Sequence, residues 1–464
     1  MESTILIRNA RAIVTCDGQD RVYYDSDMLI QGPKIVKIGK NLTDPHDQES
    51  DATDKFVYPG LINTHHHFFQ TFVRNLKTID YPNMTVPQWL DKIYRIFQMV
   101  DDQVIYYSSL TAMADLLKHG CTCAFDHQYC FTKATGKAPV DRQMEAASQL
   151  GIRYHAGRGV NPLPREEGST IPANMLETTD EYLKDCERII KLYHDPKPYS
   201  MSQIVMAPCQ PINSYPETFT ETVTFAREKG VRMHTHLGEG ENEIIVERWG
   251  KRTLDWCGEI GFLGPDVWIA HGWELTPKEY EVLAKAGTGV SHCPGPAILG
   301  GFPILPIGQM QEMGVCVSLG CDGSATNDSS SLLDSMRTAW MMQAWHSKQR
   351  GGCISPYEML KIATVNGAKT LGRNDLGSLE PEKGADLFMV DAGVLELTGT
   401  LHDPRNLLAR TGVTGNVWLT MVNGQVVFQD GHLTRVDEGK LAREGEAVCT
   451  KVLREPCEAF HNLG

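Results

Sequence analysis

Three consecutive histidines, His65, His66 and His67, follow an apolar segment. If the segment is a β-strand, residues two apart point to the same face, so the side chains of His65 and His67 would lie together. Two imidazoles on one face are a good beginning for a divalent metal site. A polar cluster at the start of a helix is the alternative explanation, and this motif alone does not decide between them.

Other polar residues close apolar segments in the same way. His236 and Glu239 end one such segment, His271 ends the next, and Asp322 ends the last. If these segments are parallel strands of one barrel, their C-terminal ends converge on one mouth, where the active sites of that fold lie. A metal ion held there would lower the pKa of its water toward about 7 and supply hydroxide at neutral pH.

The elements that must position these residues run through the middle of the chain. Short apolar segments alternate with helix-like segments, several of which stop at a glycine. Eight strand–helix units in one stretch predict an α/β fold, a (β/α)8 TIM-like barrel that forms the catalytic domain over residues 58–375. The predicted strands are 56–65, 121–127, 152–160, 203–210, 231–239, 267–275, 287–294 and 315–323.

Two connections, 68–105 and 160–182, are long for a barrel, and we expect them to cover its mouth. Both ends of the chain have the pattern of strands. Gly32-Pro33 and Asn423-Gly424 each separate two apolar runs and predict hairpins. Residues 1–57 and 376–464 are therefore expected to form one small β-sandwich domain built from both termini.

The composition restricts the partners. The chain has 464 residues, a net charge of -14 and a pI of about 5.6. Nucleic acid and anionic membranes are disfavoured because both require a basic footprint. We therefore expect a small-molecule partner. The 13 cysteines are an odd number without a CxxC pair, and the N-terminus has no secretory pattern, which favours a cytoplasmic location.

The motifs PGLINTHHH, HTHLGE, AHG, SHCP, GCDGSATNDSSSLL and LGSLEPEKGADLFMVD together resemble the amidohydrolase superfamily, and the resemblance covers nearly the whole chain. Within that superfamily the chain is similar to the branch that contains 8-oxoguanine deaminase and the hydroxyatrazine and triazine hydrolases. The resemblance implies one zinc ion per chain, with iron as an alternative. Its ligands would be His65, His67, His236 and Asp322.

The resemblance also implies roles in hydrolysis of an amidine-like C–NH2 group. Asp322 would accept a proton from the attacking water, and His271 would hold or polarise that water. Glu239 would protonate the ring nitrogen beside the attacked carbon and then pass a proton to the departing ammonia.

Three further residues are candidates for substrate binding. Gln70 can donate and accept hydrogen bonds at a base edge, Arg158 offers a fixed fork of donors, and Trp89 could stack on a flat ring. Loop packing or a surface ion pair is the alternative for each. His66 and His234 are expected to be structural, with His234 on the opposite strand face from His236.

We therefore expect a hydrolytic deaminase of an aromatic aminoheterocycle, with 8-oxoguanine or a related purine or pterin first, as in purine catabolism. The sequence HCPGPAILGGFPILP lacks the Ser-Asn pair of related deaminases, and Trp273 adds to an apolar pocket wall. A triazine-type hydrolase that releases an alkylamine or halide therefore stays open. A catalytically inactive ligand-binding barrel is disfavoured because the full set of candidate residues is present. By analogy with similar barrels we expect a homo-oligomer, with a dimer first.

Overall fold

The computed structural model describes residues 3–76, 79, 81–350 and 353–454. The chain begins with five strands: β1 (Thr4–Val14), β2 (Val22–Gln31), β3 (Lys34–Gly39), β4 (Gln48–Asp51) and β5 (Lys55–Pro59). The hairpin predicted at Gly32-Pro33 is confirmed, because β2 and β3 pair antiparallel with Gln31 opposite Lys34. Gly32 has a φ of 54°, which glycine adopts readily.

Eight parallel strands follow and pair with one another in chain order, which confirms the predicted barrel. The seam between the last and the first strand is bridged by backbone hydrogen bonds from Thr64 N to Leu319 O (3.0 Å) and from Asp322 N to His65 O (3.0 Å). The barrel strands are β6 (Leu61–Asn63), β7 (Cys121–Gln128), β8 (Arg153–Arg158), β9 (Ser202–Met206), β10 (Arg232–Leu237), β11 (Val267–His271), β12 (Gly289–His292) and β13 (Val317–Leu319).

The strand expected at 56–65 is two strands in the structure. β5 ends at Pro59 in the terminal sheet, and β6 begins at Leu61 in the barrel. Gly60 lies between them, so close to Thr122 that a Cβ atom would stand 2.0 Å from the threonine Oγ1. The apolar run continues across this crossing, and the hydrophobic pattern therefore gives no sign of it.

Four late strands complete the terminal sheet: β14 (Leu387–Asp391), β15 (Leu419–Val422), β16 (Gln425–Gln429) and β17 (His432–Leu433). The nine strands form one mixed sheet in the order β17-β16-β15-β14-β5-β1-β2-β3, with β4 on β1. Both termini thus build one β-unit, as expected. The predicted hairpin at Asn423-Gly424 is confirmed, with φ of 53° and 74° at the two turn residues.

Helices lie between the barrel strands, and α2 to α5 contact β7 to β10 in turn. None of the helices in these described ranges is long and apolar enough to cross a bilayer. The helices are α1 (Val86–Phe97), α2 (Asp102–Lys118), α3 (Pro139–Leu150), α4 (Thr179–Tyr193), α5 (Pro216–Lys229), α6 (Asn242–Trp249), α7 (Thr253–Glu259), α8 (Pro277–Ala286), α9 (Pro294–Leu299), α10 (Ile307–Glu312), α11 (Ser324–Asn327), α12 (Leu332–Arg350), α13 (Pro356–Ile362), α14 (Val365–Thr370), α15 (Leu407–Arg410) and α16 (Glu438–Cys449).

Candidate active site

The four predicted metal ligands come together at the C-terminal ends of the barrel strands. His65 and His67 follow β6, His236 lies in β10, and Asp322 follows β13. Their exposures are 0%, 3%, 6% and 4%, so bulk water does not surround them. Asp322 Oδ1 lies 3.3 Å from the Nε2 atoms of both His65 and His67.

Hydrogen bonds fix the direction in which two of these imidazoles face the site. His67 Nδ1 donates to the His127 carbonyl oxygen (2.9 Å), and His236 Nδ1 donates to the Cys209 carbonyl oxygen (2.7 Å). A neutral imidazole carries one proton, so both Nε2 atoms present lone pairs. These Nε2 atoms lie 3.1 Å apart. Two lone pairs at this distance repel each other, and a shared cation relieves that repulsion.

A third imidazole is oriented by another histidine. His234 Nδ1 donates to the Trp268 carbonyl oxygen (3.0 Å), which leaves His234 Nε2 as an acceptor. His65 Nδ1 donates to that atom (2.9 Å), and His65 Nε2 then faces Asp322 with its lone pair. The expectation that His234 points away from His236 is wrong, because residues two apart on a strand share a face.

These residues fit a zinc ion. The metal-binding atoms of His65, His67 and His236 lie within 4.8 Å of one another. His65 Nε2 is buried and has no hydrogen-bond partner among the described residues. Burial lowers the pKa of His65 to about 4 and holds the pKa of His236 well below its usual value, which favours the neutral form that binds metals. Three imidazole nitrogens and a carboxylate are a donor set typical of zinc.

The two candidate proton-handling residues lie beside this ring. His271 Nε2 is 3.5 Å from Glu239 Oε2, and neither ring nitrogen of His271 has a hydrogen-bond partner in the described structure. Burial lowers the pKa of His271 to about 3. Burial, followed by the nearby charges of Asp322 and Glu241, raises the pKa of Glu239 well above its usual value. Such a carboxyl group is suited to carry a proton at neutral pH.

The backbone at two of these positions is also unusual. His271, the last residue of β11, has a φ of 76°, and Asp322, which lies shortly after β13, has a φ of 66°. Residues other than glycine seldom adopt this region, and where they do the surrounding structure must hold them. Such outliers cluster at functional sites, which agrees with the roles expected for these two side chains.

A cavity of about 370 Å³, measured out to its open mouth, lies over the ring. Gln70 and Trp89, two of the candidates for substrate contact, both line it. Gln70 Nε2 donates to the Tyr129 hydroxyl (3.0 Å), and the buried Trp89 Nε1 has no partner in the described structure. The first long connection supplies α1, whose Trp89, Leu90 and Tyr94 line the cavity. The lining residues are His67, Gln70, Trp89, Leu90, Tyr94, Tyr129, Cys209, Gln210, His236, Glu239, Asp322 and Thr326.

Arg158, the third candidate for substrate contact, is not among the residues that line this cavity. Its Nε donates to Asp185 (2.9 Å), and its two terminal nitrogens donate to Glu177 (2.8 and 2.7 Å). The guanidinium also lies over the ring of Phe131 at 3.5 Å. A fully buried cation needs such partners, so its donors are used in holding the fold.

Sequence reasoning missed several lining residues. Cys209 and Gln210 follow β9, and Tyr129 follows β7, so each lies just past a barrel strand. The rule that drew attention to Asp322 would also have found them. Tyr94 gave no such signal, because it lies inside helix α1 and resembles any buried aromatic residue.

Comparison with known proteins agrees with this geometry. Residues 56–427 match the model of the Amidohydrolase family. The chain is 45% identical to hydroxydechloroatrazine ethylaminohydrolase of Pseudomonas sp. (strain ADP), over 97% of this chain and 96% of that protein. It is 34% identical to 8-oxoguanine deaminase of Pseudomonas aeruginosa, over 96% and 98%. The zinc complex of atrazine chlorohydrolase from Arthrobacter aurescens TC1 superposes with a TM-score of 0.91 at 30% identity, over 96% and 100%.

Proposed function

This chain belongs to the amidohydrolase family, and we propose that it hydrolyses an exocyclic C–N bond on a nitrogen-containing aromatic ring and releases an amine. The observation that carries the proposal is the meeting of three imidazole lone pairs with Asp322, beside the pair formed by Glu239 and His271. A zinc ion held by His65, His67, His236 and Asp322 would lower the pKa of the attacking water and so generate a nucleophile at neutral pH.

The protein residues supply the remaining steps. Asp322 accepts the proton of the attacking water, and His271 donates no proton but orients the water through an unpaired ring nitrogen. Glu239 gives its proton to the ring nitrogen beside the attacked carbon. The Glu239 carboxylate then takes the remaining proton from the hydroxyl group on that carbon and passes it to the departing amine, so that the C–N bond breaks as the ring C=O forms. The proton held by Asp322 returns to Glu239, which restores both groups. The raised pKa of Glu239 supports this use as an acid.

We place alkylamino-substituted, hydroxylated triazines first among the substrates. The relative that is 45% identical is named for removal of an ethylamino group. The altered segment after β12 also adds apolar surface next to His271, since its Phe302 stacks on Trp273 at 4.4 Å and Trp273 lies 4.4 Å from the His271 ring. Deamination of 8-oxoguanine is the second candidate, supported by the relative that is 34% identical.

The test is amine release by the zinc-loaded protein from N-ethyl hydroxytriazines, aminotriazines, 8-oxoguanine and isoxanthopterin. Ethylamine from the first class, with little ammonia from the purine, supports the proposed order of substrates. Rapid ammonia release from 8-oxoguanine alone would reverse it.

The matched control for this test is Glu239→Gln, which keeps the size of the side chain and removes the proton donor. We expect kcat to fall by about 10²- to 10⁴-fold while zinc stays bound. No release from any compound by the unmodified protein, or full activity of Glu239→Gln, would contradict the proposal.

A further inference from the structure

The segment that presents Glu239 to the site is flexible by composition. Glu239 lies between Gly238 and Gly240, whose φ values are 74° and 97°. Glycine reaches this region easily but also leaves it easily, because no Cβ restricts the backbone. Since the carboxyl group of Glu239 must stay within reach of His271, another contact has to fix this turn.

Glu241 makes that contact from two residues further along. Its Oε1 accepts a hydrogen bond from Gly238 N (2.6 Å), and its Oε2 accepts one from Glu239 N (2.7 Å). The residue is 4% exposed, so water does not compete strongly for these oxygens. Hydrogen bonds from backbone amides to an ionised carboxylate are about twice as strong as neutral ones.

The same turn is tied to the connection that follows His271. Gly272 N donates to Leu237 O (2.8 Å), and Glu274 N donates to Gly238 O (3.1 Å). A Cβ on Gly238 would stand 3.0 Å from Gly272 Cα, so the two segments are in close contact. The turn braced by Glu241 therefore determines where Glu239 stands relative to His271.

The contact continues into the first helix after the turn. Asn242, the first residue of α6, donates through Nδ2 to Glu274 Oε2 (2.8 Å) and accepts through Oδ1 from Thr253 N (3.2 Å). Both residues that flank the turn on its C-terminal side are thus held, Glu241 by backbone amides and Asn242 by the neighbouring segment. None of these partners belongs to the four candidate metal ligands.

We propose that Glu241 is a positioning residue, whose carboxylate clamps the amides of Gly238 and Glu239 and so holds the Glu239 carboxyl group against His271. The effect of Glu241 on catalysis rests on the proposed function. The two hydrogen bonds that Glu241 accepts do not depend on that function. Glu241 is not among the residues that line the cavity, and it is not one of the four candidate metal ligands.

The test compares Glu241→Ala and Glu241→Gln with Glu243→Ala in the zinc-loaded full chain. Glu243 is an exposed acid in the same segment, so its variant controls for a change of charge near the site. In Glu241→Ala we expect kcat to fall about 10- to 100-fold, because the Glu239 carboxyl group would be displaced by about 1 Å. KM should stay within about twofold of the value for the unmodified protein. Glu241→Gln keeps one acceptor oxygen and should recover part of kcat. Zinc content should equal that of the unmodified protein.

Hydrogen–deuterium exchange of the peptide that contains residues 237–242 gives a readout that needs no substrate. In Glu241→Ala the amides of Gly238 and Glu239 should exchange roughly tenfold faster, and in Glu243→Ala they should not. Unchanged exchange, or unchanged kcat with faster exchange, would overturn the positioning role. If exchange is faster in Glu241→Ala but the unmodified protein releases no amine from any compound, the clamp is supported and only the proposed reaction is overturned.

Discussion

At the level of single residues, each candidate ligand histidine depends on the partner of its second ring nitrogen. His67 and His236 use backbone carbonyl oxygens, whereas His65 uses a second histidine, His234. His234 Nε2 can accept this hydrogen bond only because the proton of His234 lies on Nδ1, which donates to the Trp268 carbonyl oxygen. A partner of this kind sets the tautomer of the ligand and the direction of its lone pair.

We predict that His234→Phe weakens zinc binding about 10- to 100-fold, because the acceptor for His65 Nδ1 is lost while an aromatic ring still fills the site. His234→Gln offers a side-chain oxygen as acceptor and should retain more of the affinity. Competition with a chromophoric chelator measures both. His432→Phe is the control, because His432 is an exposed residue of β17. Equal zinc affinity in the Phe variant and the unmodified protein would contradict the prediction.

Candidate site residues at strand ends could be found from the sequence, because polar side chains able to bind a metal or carry a proton stand out directly after apolar strands. His65, His67, His236, Glu239, His271 and Asp322 were found in this way. The role of Glu241 could not be predicted from the sequence. Its partners are backbone amides, and their direction depends on two positive φ angles. The role of Arg158 depended on Glu177 and Asp185, which only the folded chain brings to it.

At the level of elements, helix α2 ends in a titratable pair. His119 is the C-terminal cap residue, and its Nδ1 lies 3.1 Å from Asp115 Oδ1. Burial opposes protonation of His119, but the hydrogen bond and charge of Asp115 outweigh it and raise the pKa of His119. A protonated imidazole is also favoured at a helix C-terminus.

This pair predicts a pH-dependent contribution to stability. Because the folded-state pKa of His119 is raised, the contribution is fully present below the unfolded value of about 6.5 and is lost as pH rises through the folded value. Asp115→Asn should therefore lower the free energy of unfolding by roughly 1 kcal/mol near pH 6 and by less near pH 9. Urea unfolding at several pH values measures this.

The control for this pair is Asp91→Asn on α1, which faces Arg95 at 2.8 Å. Arginine does not titrate in this range, so the effect of that substitution should be constant from pH 6 to 9. An Asp115→Asn effect that grows toward pH 9 would contradict the assignment.

Most elements followed from periodicity and from turn residues. The hairpins at Gly32-Pro33 and Asn423-Gly424 and the alternation of strands and helices were visible because local backbone requirements produced them. The crossing at Gly60 was invisible, because it depends on close approach to Thr122, a residue far along the chain. Contacts of this kind leave no periodic signal in the sequence.

At the level of the whole molecule, the candidate metal ligands join strands that are distant in sequence. Asp322 follows the last barrel strand and lies against His65 and His67, which follow the first. Across this seam the two strands share few backbone hydrogen bonds, among them Thr64 N to Leu319 O and Asp322 N to His65 O. A cation bound by residues from both sides would therefore stabilise the closed barrel itself.

We predict that the thermal midpoint of the full chain rises with free zinc and falls when a chelator removes the metal. A ligand that binds only the folded state adds about 4 kcal/mol at 1,000 times its Kd. Hydrogen–deuterium exchange at Thr64 and Asp322 should slow in the same titration, because both amides lie at the seam. His67→Ala should lose most of the response, and His432→Ala should keep it. A midpoint and exchange rates that do not differ between zinc and chelator would show that these four residues do not close the barrel through a metal.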